Sequence, residues 1–283
     1  MPQFYMNLWK SVEKMKNMNY ILFLSIFILG YGTKSYSQDQ IPKHDNFRIE
    51  SKQVGETRVI NVWTPPNYEN NNDSYPVLYM PDGGIKEDFP HIANTIAALV
   101  KNRSIPPIIL VGIENTERGR DLTGVSEVKE DEQYCPLTDG ANNFRNFITK
   151  ELFHEIGKRY RVTNKKGILG ESLSGLFVME TFMQKPKTFN FYIAMDPSLW
   201  WNDHYLIRNA NSLLGNFPNK EIKLWFAGSS AEDISQYTNE LANVLKSDAP
   251  NDLTWKYSDE PNEKHHTIFR ATKEKALIWT LNE

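Results

Sequence analysis

Short apolar runs alternate along the chain with segments whose apolar residues recur every three or four positions. The runs have the length and composition of buried strands and cover residues 58–64, 76–80, 106–113, 167–169, 189–195, 222–228 and 253–257. The helical spacing covers residues 92–100, 144–156, 176–183, 205–214, 237–245 and 268–281. Because strands that alternate with helices usually pair in parallel, the pattern predicts an α/β fold with a mostly parallel central sheet flanked by helices.

Several polar or glycine-containing turns directly follow the predicted strands. They lie at residues 81–84, 196–203, 229–233 and 264–267. Ligands of parallel sheets bind outside the carboxyl ends of the strands, so we expect these turns to converge on one site. A polar connection at residues 114–141 is unusually long for a compact domain, and such loops are typically functional or mobile.

The first residues differ in kind from the rest of the chain. Three lysines precede an apolar run at residues 20–29, and small residues follow at 35–37. This pattern predicts a signal peptide covering residues 1–37, and the run is shorter than the roughly twenty residues that cross a bilayer. Residues 38–283 would then form one exported domain, periplasmic or secreted, with no stable membrane association after cleavage. An uncleaved anchor is the alternative, and translation could also start at Met15 or Met18.

Composition narrows the possible functions. The net charge of -3 leaves no basic excess to neutralise phosphates, so no nucleic-acid partner is expected. The single cysteine, Cys135, cannot form an internal disulfide or a cysteine-based zinc site. The fold is therefore expected to depend on its hydrophobic core.

The stretch from Gly170 to Ser174 has the arrangement of a nucleophile elbow. A short apolar run precedes it and a helical pattern follows, and small residues stand two positions before and after Ser172. The usual motif has glycine where Ser174 stands. An ordinary strand-to-helix turn would have a similar composition, so the catalytic interpretation depends on partners elsewhere.

Those partners follow in the order that serine hydrolases of this kind use, which is serine, acid, histidine. We expect Ser172 to be the nucleophile and His265, rather than the adjacent His266, to be the base. Glu232 is the first candidate for the acid and Asp233 the second. A Ser-His dyad without a close acid is a third possibility.

Acyl transfer also needs donors for the oxyanion. We expect the backbone N–H groups of Leu173 and Gly84 to supply them, since Leu173 follows the serine and Gly84 lies in the loop after an apolar strand. This chemistry requires no metal and no organic cofactor.

The chain resembles the putative esterase family, the esterase D-like α/β-hydrolases that include enterochelin esterases and mycolyltransferases. The matching stretches are Pro65-Pro66-Asn67-Tyr68, Pro76-Val77-Leu78-Tyr79, Asp82-Gly83, Arg120-Asp121-Leu122-Thr123, residues 170–177, Pro197-Ser198-Leu199-Trp200-Trp201 and His265. The resemblance implies an α/β-hydrolase fold over residues 38–283, carboxylic ester hydrolysis, and a substrate pocket near Arg120, Trp200 and Trp201. The chain departs from the family pattern at Ser174 and His266.

The expected partner is a small-molecule ester, possible examples being siderophore and sugar-linked esters. Two alternatives to an esterase are an acyltransferase of the mycolyltransferase type and a non-catalytic binding protein with the same fold. The sequence leaves the oligomeric state open.

Overall fold

One sheet of eight strands organises the computed structural model, which describes residues 39–282. The strands are β1 (Asp45–Glu50), β2 (Thr57–Trp63), β3 (Tyr75–Met80), β4 (Ile109–Ile113), β5 (Val162–Glu171), β6 (Phe191–Met195), β7 (Ile222–Gly228) and β8 (Leu253–Asp259). Their order is β1-β2-β4-β3-β5-β6-β7-β8. Strand β2 pairs antiparallel with both β1 and β4, and the other pairs of the described sheet are parallel. The predicted α/β fold with a mostly parallel sheet is confirmed. The predicted signal peptide lies outside the described residues.

Helices cover both faces of the sheet. They are α1 (Phe89–Lys101), α2 (Arg118–Leu122), α3 (Gly140–Asn146), α4 (Phe153–Arg159), α5 (Leu173–Gln184), α6 (Trp201–Arg208), α7 (Ala210–Leu214), α8 (Glu232–Asp248) and α9 (His265–Leu281). A π-helical stretch, Phe147–Leu152, joins α3 to α4. Within the described part of the chain, no helix is long and apolar enough to cross a membrane.

The strands are apolar on both sides because each face of the sheet carries its own core. In β3, Val77 and Tyr79 belong to the core beneath α3, α4, α5 and α8. The intervening Leu78 and Met80 belong to the core beneath α1 and α9. Successive side chains of a strand point to opposite faces, which accounts for the continuous apolar runs in the sequence.

The order of the strands creates a crevice at one edge of the sheet. Strand β3 lies between β4 and β5, and the chain leaves β3 toward α1 on one face but leaves β5 toward α5 on the other. Where neighbouring strands lead to opposite faces, their loops diverge and leave room for a ligand. Ser172, which follows β5, stands at this point.

The connection between β4 and α3 is more ordered than its polar sequence suggests. It contains α2 and a short 3-10 helix, Lys129–Gln133. Asp121 of α2 is buried and accepts a hydrogen bond of 2.5 Å from the buried guanidinium of Arg58 on β2. Breaking a buried pair of this kind is costly, so the pair holds the connection against the sheet.

Candidate active site

Ser172 occupies a strained position between β5 and α5. Its backbone has φ 61° and ψ -121°, a conformation that residues with a side chain rarely adopt. The turn brings the backbone of Ser174 so close to Gly170 that a Cβ on Gly170 would lie 2.5 Å from the Ser174 carbonyl. The glycine two residues before Ser172 is therefore required by the turn.

Ser174, where the family pattern has glycine, fits this turn through its hydroxyl group. The buried hydroxyl donates to the carbonyl of Glu171 at 2.8 Å and accepts from the N–H of Glu171 at 2.9 Å. Both bonds join the end of β5 to the start of α5. The departure from the motif thus adds hydrogen bonds to the elbow without displacing it.

A chain of hydrogen bonds links Ser172, His265 and Asp196. The Ser172 Oγ lies 3.1 Å from Nε2 of His265, the first residue of α9. The other ring nitrogen, Nδ1, lies 2.8 Å from Oδ2 of Asp196, and since a carboxylate only accepts, Nδ1 carries the hydrogen. This tautomer leaves Nε2 of the neutral ring able to accept the hydroxyl proton of Ser172.

Asp196 directly follows β6 and is fully buried. Its two oxygens also accept hydrogen bonds from Ser229, from the N–H at 2.5 Å and from the hydroxyl at 2.7 Å. A buried carboxylate is stable only when its lone pairs are satisfied, and these contacts fix the orientation of the group. The hydrogen bond to Asp196 is the largest cause of the raised pKa of His265, and the negative charges of Glu171, Asp196 and Asp233 act in the same direction.

The carboxylate in contact with His265 is therefore a different one from the acid expected from the sequence. Glu232 and Asp233 begin α8 and are exposed, and neither forms a hydrogen bond with His265. Asp233 lines the cavity in front of Ser172 and acts on His265 only through its charge. The carboxylate in contact with the histidine comes from β6, the direct neighbour of β5, rather than from the next strand along. An acid immediately after a buried strand was the available signal in the sequence.

A cavity of about 520 Å³ opens in front of Ser172. The residues that line it include Ser172, Leu173, His265, Arg118, Tyr134 and Trp200. No hydrogen bond from the N–H of Leu173 is found in the described part of the chain, because it begins α5 and has no partner one turn earlier. The predicted positions of Leu173 and Trp200 at the cavity agree with the structure, and their roles stay predictions.

Two of the predicted substrate contacts lie elsewhere. Arg120 pairs with Glu56 at 2.6 Å and with Asp121 at 2.8 Å, which holds α2 rather than a ligand. The arginine that lines the cavity is Arg118, whose Nε and Nη2 bind Asp82 at 2.6 and 2.8 Å. Trp201 is buried and donates its indole N–H to the carbonyl of Gly124 at 3.1 Å, so it supports the wall from behind.

Gly84, the second predicted oxyanion donor, has its N–H occupied. It donates to Oε2 of Glu87 at 2.7 Å, while Oε1 of the same carboxylate accepts from the N–H of Asn115 at 3.2 Å. The two bonds tie the loop after β3 to the loop after β4. In this conformation the Gly84 N–H is not available to an oxyanion.

Glu171 lies next to the serine, and burial together with nearby negative charges raises the pKa of its carboxyl group. Burial is the main reason why its pKa rises from 4.5 to about 7, although the positive charges of His265 and Arg118 oppose this. A raised pKa contributes stability that is present below the unfolded value and is lost as the pH rises through the folded value. Above pH 7 the folded protein therefore holds a charged carboxylate that burial disfavours.

We accordingly expect Glu171→Gln to gain stability relative to the parent as the pH increases from 5 to 8. The gain should be on the order of 2 to 3 kcal/mol, from 1.36 kcal/mol for each pKa unit. Urea unfolding at both pH values, on protein lacking residues 1–37, measures it. Glu232→Gln, at an exposed carboxylate, is the control. An equal difference from the parent at both pH values would contradict the burial of a titrating group at Glu171.

Among residues 39–282, no cluster of three or more histidine, cysteine or acidic side chains could hold a metal ion.

Comparisons with known proteins find esterases and a serine hydrolase among the similar chains. The ferri-bacillibactin esterase BesA of Bacillus subtilis is 27% identical over 235 residues, which cover 74% of this chain and 79% of the relative. An apo-salmochelin esterase of Escherichia coli is 24% identical over 247 residues, 80% of this chain and 76% of the relative. The crystal structure of an IroE-like serine hydrolase from Shewanella oneidensis superposes with a TM-score of 0.78 at 27% identity, covering 84% of this chain and 79% of the other.

The family described as Putative esterase matches residues 51–267, a span that runs from the end of β1 to the first turn of α9. It contains Ser172, Asp196 and His265. The chain belongs to the putative esterase family of α/β-hydrolases, and it is a carboxylic ester hydrolase.

Proposed function

We propose that this protein hydrolyses the ester bonds of a siderophore, with Ser172 as the nucleophile. The observation that carries the proposal is the hydrogen-bonded chain from Ser172 through His265 to Asp196 at the mouth of a cavity. The substrate class is supported by the relatives, which are named as esterases of ferri-bacillibactin and of salmochelin.

In the proposed reaction, the Ser172 Oγ attacks the acyl carbon while Nε2 of His265 takes its proton. His265 then gives that proton to the departing alcohol, and an acyl-serine remains. In the second half, a water molecule attacks the acyl carbon while Nε2 of His265 takes its proton. The bond between the acyl carbon and Ser172 Oγ then breaks, Oγ takes the proton back from His265, and the acid is released. Asp196 keeps the imidazole in the required tautomer and stabilises the cation that forms during each half.

The tetrahedral intermediate carries a negative charge that needs hydrogen-bond donors. The N–H of Leu173 lies at the start of α5, where the helix dipole also favours negative charge. Arg118 holds Asp82 through Nε and Nη2, and Nη1 makes no hydrogen bond within the described residues, so it can donate to a substrate oxygen. Gly84 joins them only if the Glu87 carboxylate moves away. A well-placed donor of this kind contributes about 3 kcal/mol to lowering the barrier.

We further propose that residues 1–37 direct export and are removed, so that the enzyme acts in the periplasm or outside the cell. The support is the sequence pattern of lysines, a short apolar run and small residues. No stable membrane association is expected of the remaining chain.

The test uses protein lacking residues 1–37. Enterobactin, with and without iron, is incubated with the protein and the linear products are separated by chromatography. In parallel, a fluorophosphonate probe is applied and the labelled peptide is identified by mass spectrometry. We expect product formation and labelling at Ser172, because the His265 base activates this hydroxyl.

The two measurements separate the parts of the proposal. Labelling of Ser172 without turnover of enterobactin would reject the siderophore substrate but keep the serine hydrolase. If the probe does not label Ser172 and the protein hydrolyses neither enterobactin nor p-nitrophenyl butyrate, the proposed mechanism as a whole is contradicted.

A further inference from the structure

The end of the sheet opposite Ser172 carries a concentration of lysines. Residues 164–167, 184–190 and 219–223 contain six lysines and one glutamate, a net charge of +5 in a chain whose overall charge is -3. These segments lie around the amino ends of β5, β6 and β7, three adjacent strands whose carboxyl ends lead to the catalytic hydrogen bonds. This surface is named the basic edge, and its lysines are Lys165, Lys166, Lys185, Lys187, Lys220 and Lys223.

Hydrogen bonds hold the three segments together around Asn190. The N–H of Asn190 donates to the carbonyl of Lys166 at 2.7 Å, and its side-chain oxygen accepts from the N–H of Lys166 at 3.0 Å. The carbonyl of Asn190 accepts from the N–H of Lys223 at 3.0 Å. A 3-10 turn, Pro186–Thr188, comes shortly before Asn190 and carries Lys187. Lysines that are distant in the sequence are therefore neighbours on one surface.

Most of these ammonium groups have no carboxylate partner. No ion pair within the described residues involves Lys165, Lys166, Lys185, Lys187 or Lys220. Burial and the positive charge of Lys166 lower the pKa of Lys220, so two like charges meet here. Helices α5 and α9 end at this edge, but each helix C-terminus contributes only about half a negative charge. A positive surplus is left for a partner.

The lysines are spread across the end of the sheet and point to both of its faces. Lys166 extends over the ring of Phe153 in α4, 5.4 Å from its centroid. On the other face, Lys223 extends over the ring of Trp279 in α9 at 5.9 Å and donates to the carbonyl of Asn282 at 2.6 Å. An ammonium on a flexible stem is a point charge, whereas the arginine fork suits bidentate binding of one phosphate. Six lysines without an arginine therefore fit a broad anionic surface better than a single phosphate group.

We propose that the basic edge docks reversibly on an anionic phospholipid surface, with the Ser172 cavity facing away from the lipid. The strand from Lys166 to Ser172 is about 20 Å long, so the cavity stays open to solution while the lysines contact headgroups. Single-stranded nucleic acid would need exposed rings for base stacking, and the exposed aromatic residues of the described chain, Tyr134 and Tyr205, lie outside these segments. The inference is independent of the proposed ester hydrolysis.

The contact expected here differs from stable membrane association. Each lysine close to an anionic membrane raises the affinity roughly five-fold, and salt screens the attraction within about 10 Å at 0.1 M. The described chain contains no helix that could insert across the bilayer. Docking through the basic edge is therefore weak and reversed by salt.

The test measures cosedimentation with phosphatidylcholine vesicles that contain or lack phosphatidylglycerol. Protein lacking residues 1–37 is used, so that their apolar run does not contribute. We expect binding only to vesicles with phosphatidylglycerol, and release by sodium chloride. Lys166→Gln combined with Lys220→Gln should weaken binding about 25-fold, from roughly five-fold for each lysine. Lys165→Gln combined with Lys187→Gln, at two exposed side chains, should weaken it equally without disturbing a packed group.

Lys52→Gln combined with Lys129→Gln is the matched control, because it removes the same charge at two exposed lysines elsewhere. Lys52 lies in the turn between β1 and β2, and that turn is at the carboxyl end of β4 because β2 and β4 are antiparallel. This variant should bind as the parent does, and equal weakening would overturn the assignment to the basic edge. Equal binding of the parent to both kinds of vesicle, or unweakened binding of both basic-edge variants, would overturn the proposal.

Two further measurements separate a lipid surface from other sources of phosphate. Sodium phosphate should release the protein no better than sodium chloride at equal ionic strength, and duplex DNA should bind it less tightly than the vesicles do. A specific effect of phosphate, or tighter binding to DNA, would overturn the choice of partner. None of these lysines lines the Ser172 cavity, so the basic-edge variants should hydrolyse p-nitrophenyl butyrate as the parent does. A parent without esterase activity would contradict the proposed function and leave the vesicle result unaffected.

Discussion

Alanine at Ser172 or at His265 is expected to lower kcat about a million-fold, and the double variant is expected to be no worse than either single one. The reason is that Oγ of Ser172 and Nε2 of His265, 3.1 Å apart, act in one step, so losing either removes the whole nucleophilic pathway. The measurement is the initial rate of ester hydrolysis by protein lacking residues 1–37.

His266→Ala provides the matched control for this pair. His266 is adjacent to His265 and exposed, so its removal tests a neighbouring imidazole without touching the hydrogen-bonded chain. Its kcat should remain within a small factor of the parent. Two single losses that multiply in the double variant would mean that the two residues contribute independently, which is incompatible with a shared proton transfer.

The fold class could be predicted because it depends on patterns of apolar residues within short segments of the chain. Strands buried on both faces require continuous apolar runs, as in β3 and β6, and these stand out in the sequence. The elbow could be predicted because only small residues fit around Ser172, as the close approach of Gly170 to Ser174 shows. Neither inference needed the order of the strands in the sheet.

The acid could not be predicted without the order of the strands in the sheet. Residues after β6 and after β7 both lie between Ser172 and His265 in the sequence, and the choice rests on which strand neighbours β5. The sheet places β6 there, so Asp196 reaches His265, while Glu232 lies one strand further away at the start of α8. A sequence pattern that gives the order of three residues does not give their distance.

Predicting the substrate contacts would have required the orientation of individual side chains. Arg118 and Arg120 both belong to α2, and residues two apart on a helix point about 200° away from each other. One therefore lines the cavity while the other pairs with Glu56. Trp200 and Trp201 also differ, since only Trp200 lines this cavity and Trp201 is buried.

Asp196→Asn is expected to lower kcat about ten-thousand-fold, and Glu232→Gln is expected to leave it near the parent value. An asparagine keeps the shape of the side chain, but its amide can donate to Nδ1 and so favour the ring tautomer that cannot accept the serine proton. Initial rates for both variants beside the parent measure the effect, and the comparison decides between the acid in the structure and the acid expected from the sequence.

The pH dependence gives this test a second readout. Asp196 raises the pKa of His265, and the reaction requires the neutral ring, so activity rises with pH through that pKa. Removing the negative charge should therefore move the midpoint of the kcat profile to lower pH in Asp196→Asn, and a profile with an unmoved midpoint would argue against the contact. If Glu232→Gln instead lost activity and Asp196→Asn kept it, the hydrogen bond between Asp196 and His265 would have no catalytic role.

A control for folding is needed because Asp196 is fully buried and also accepts hydrogen bonds from Ser229. Thermal unfolding of Asp196→Asn shows whether lost activity comes from a less stable fold or from a misoriented His265.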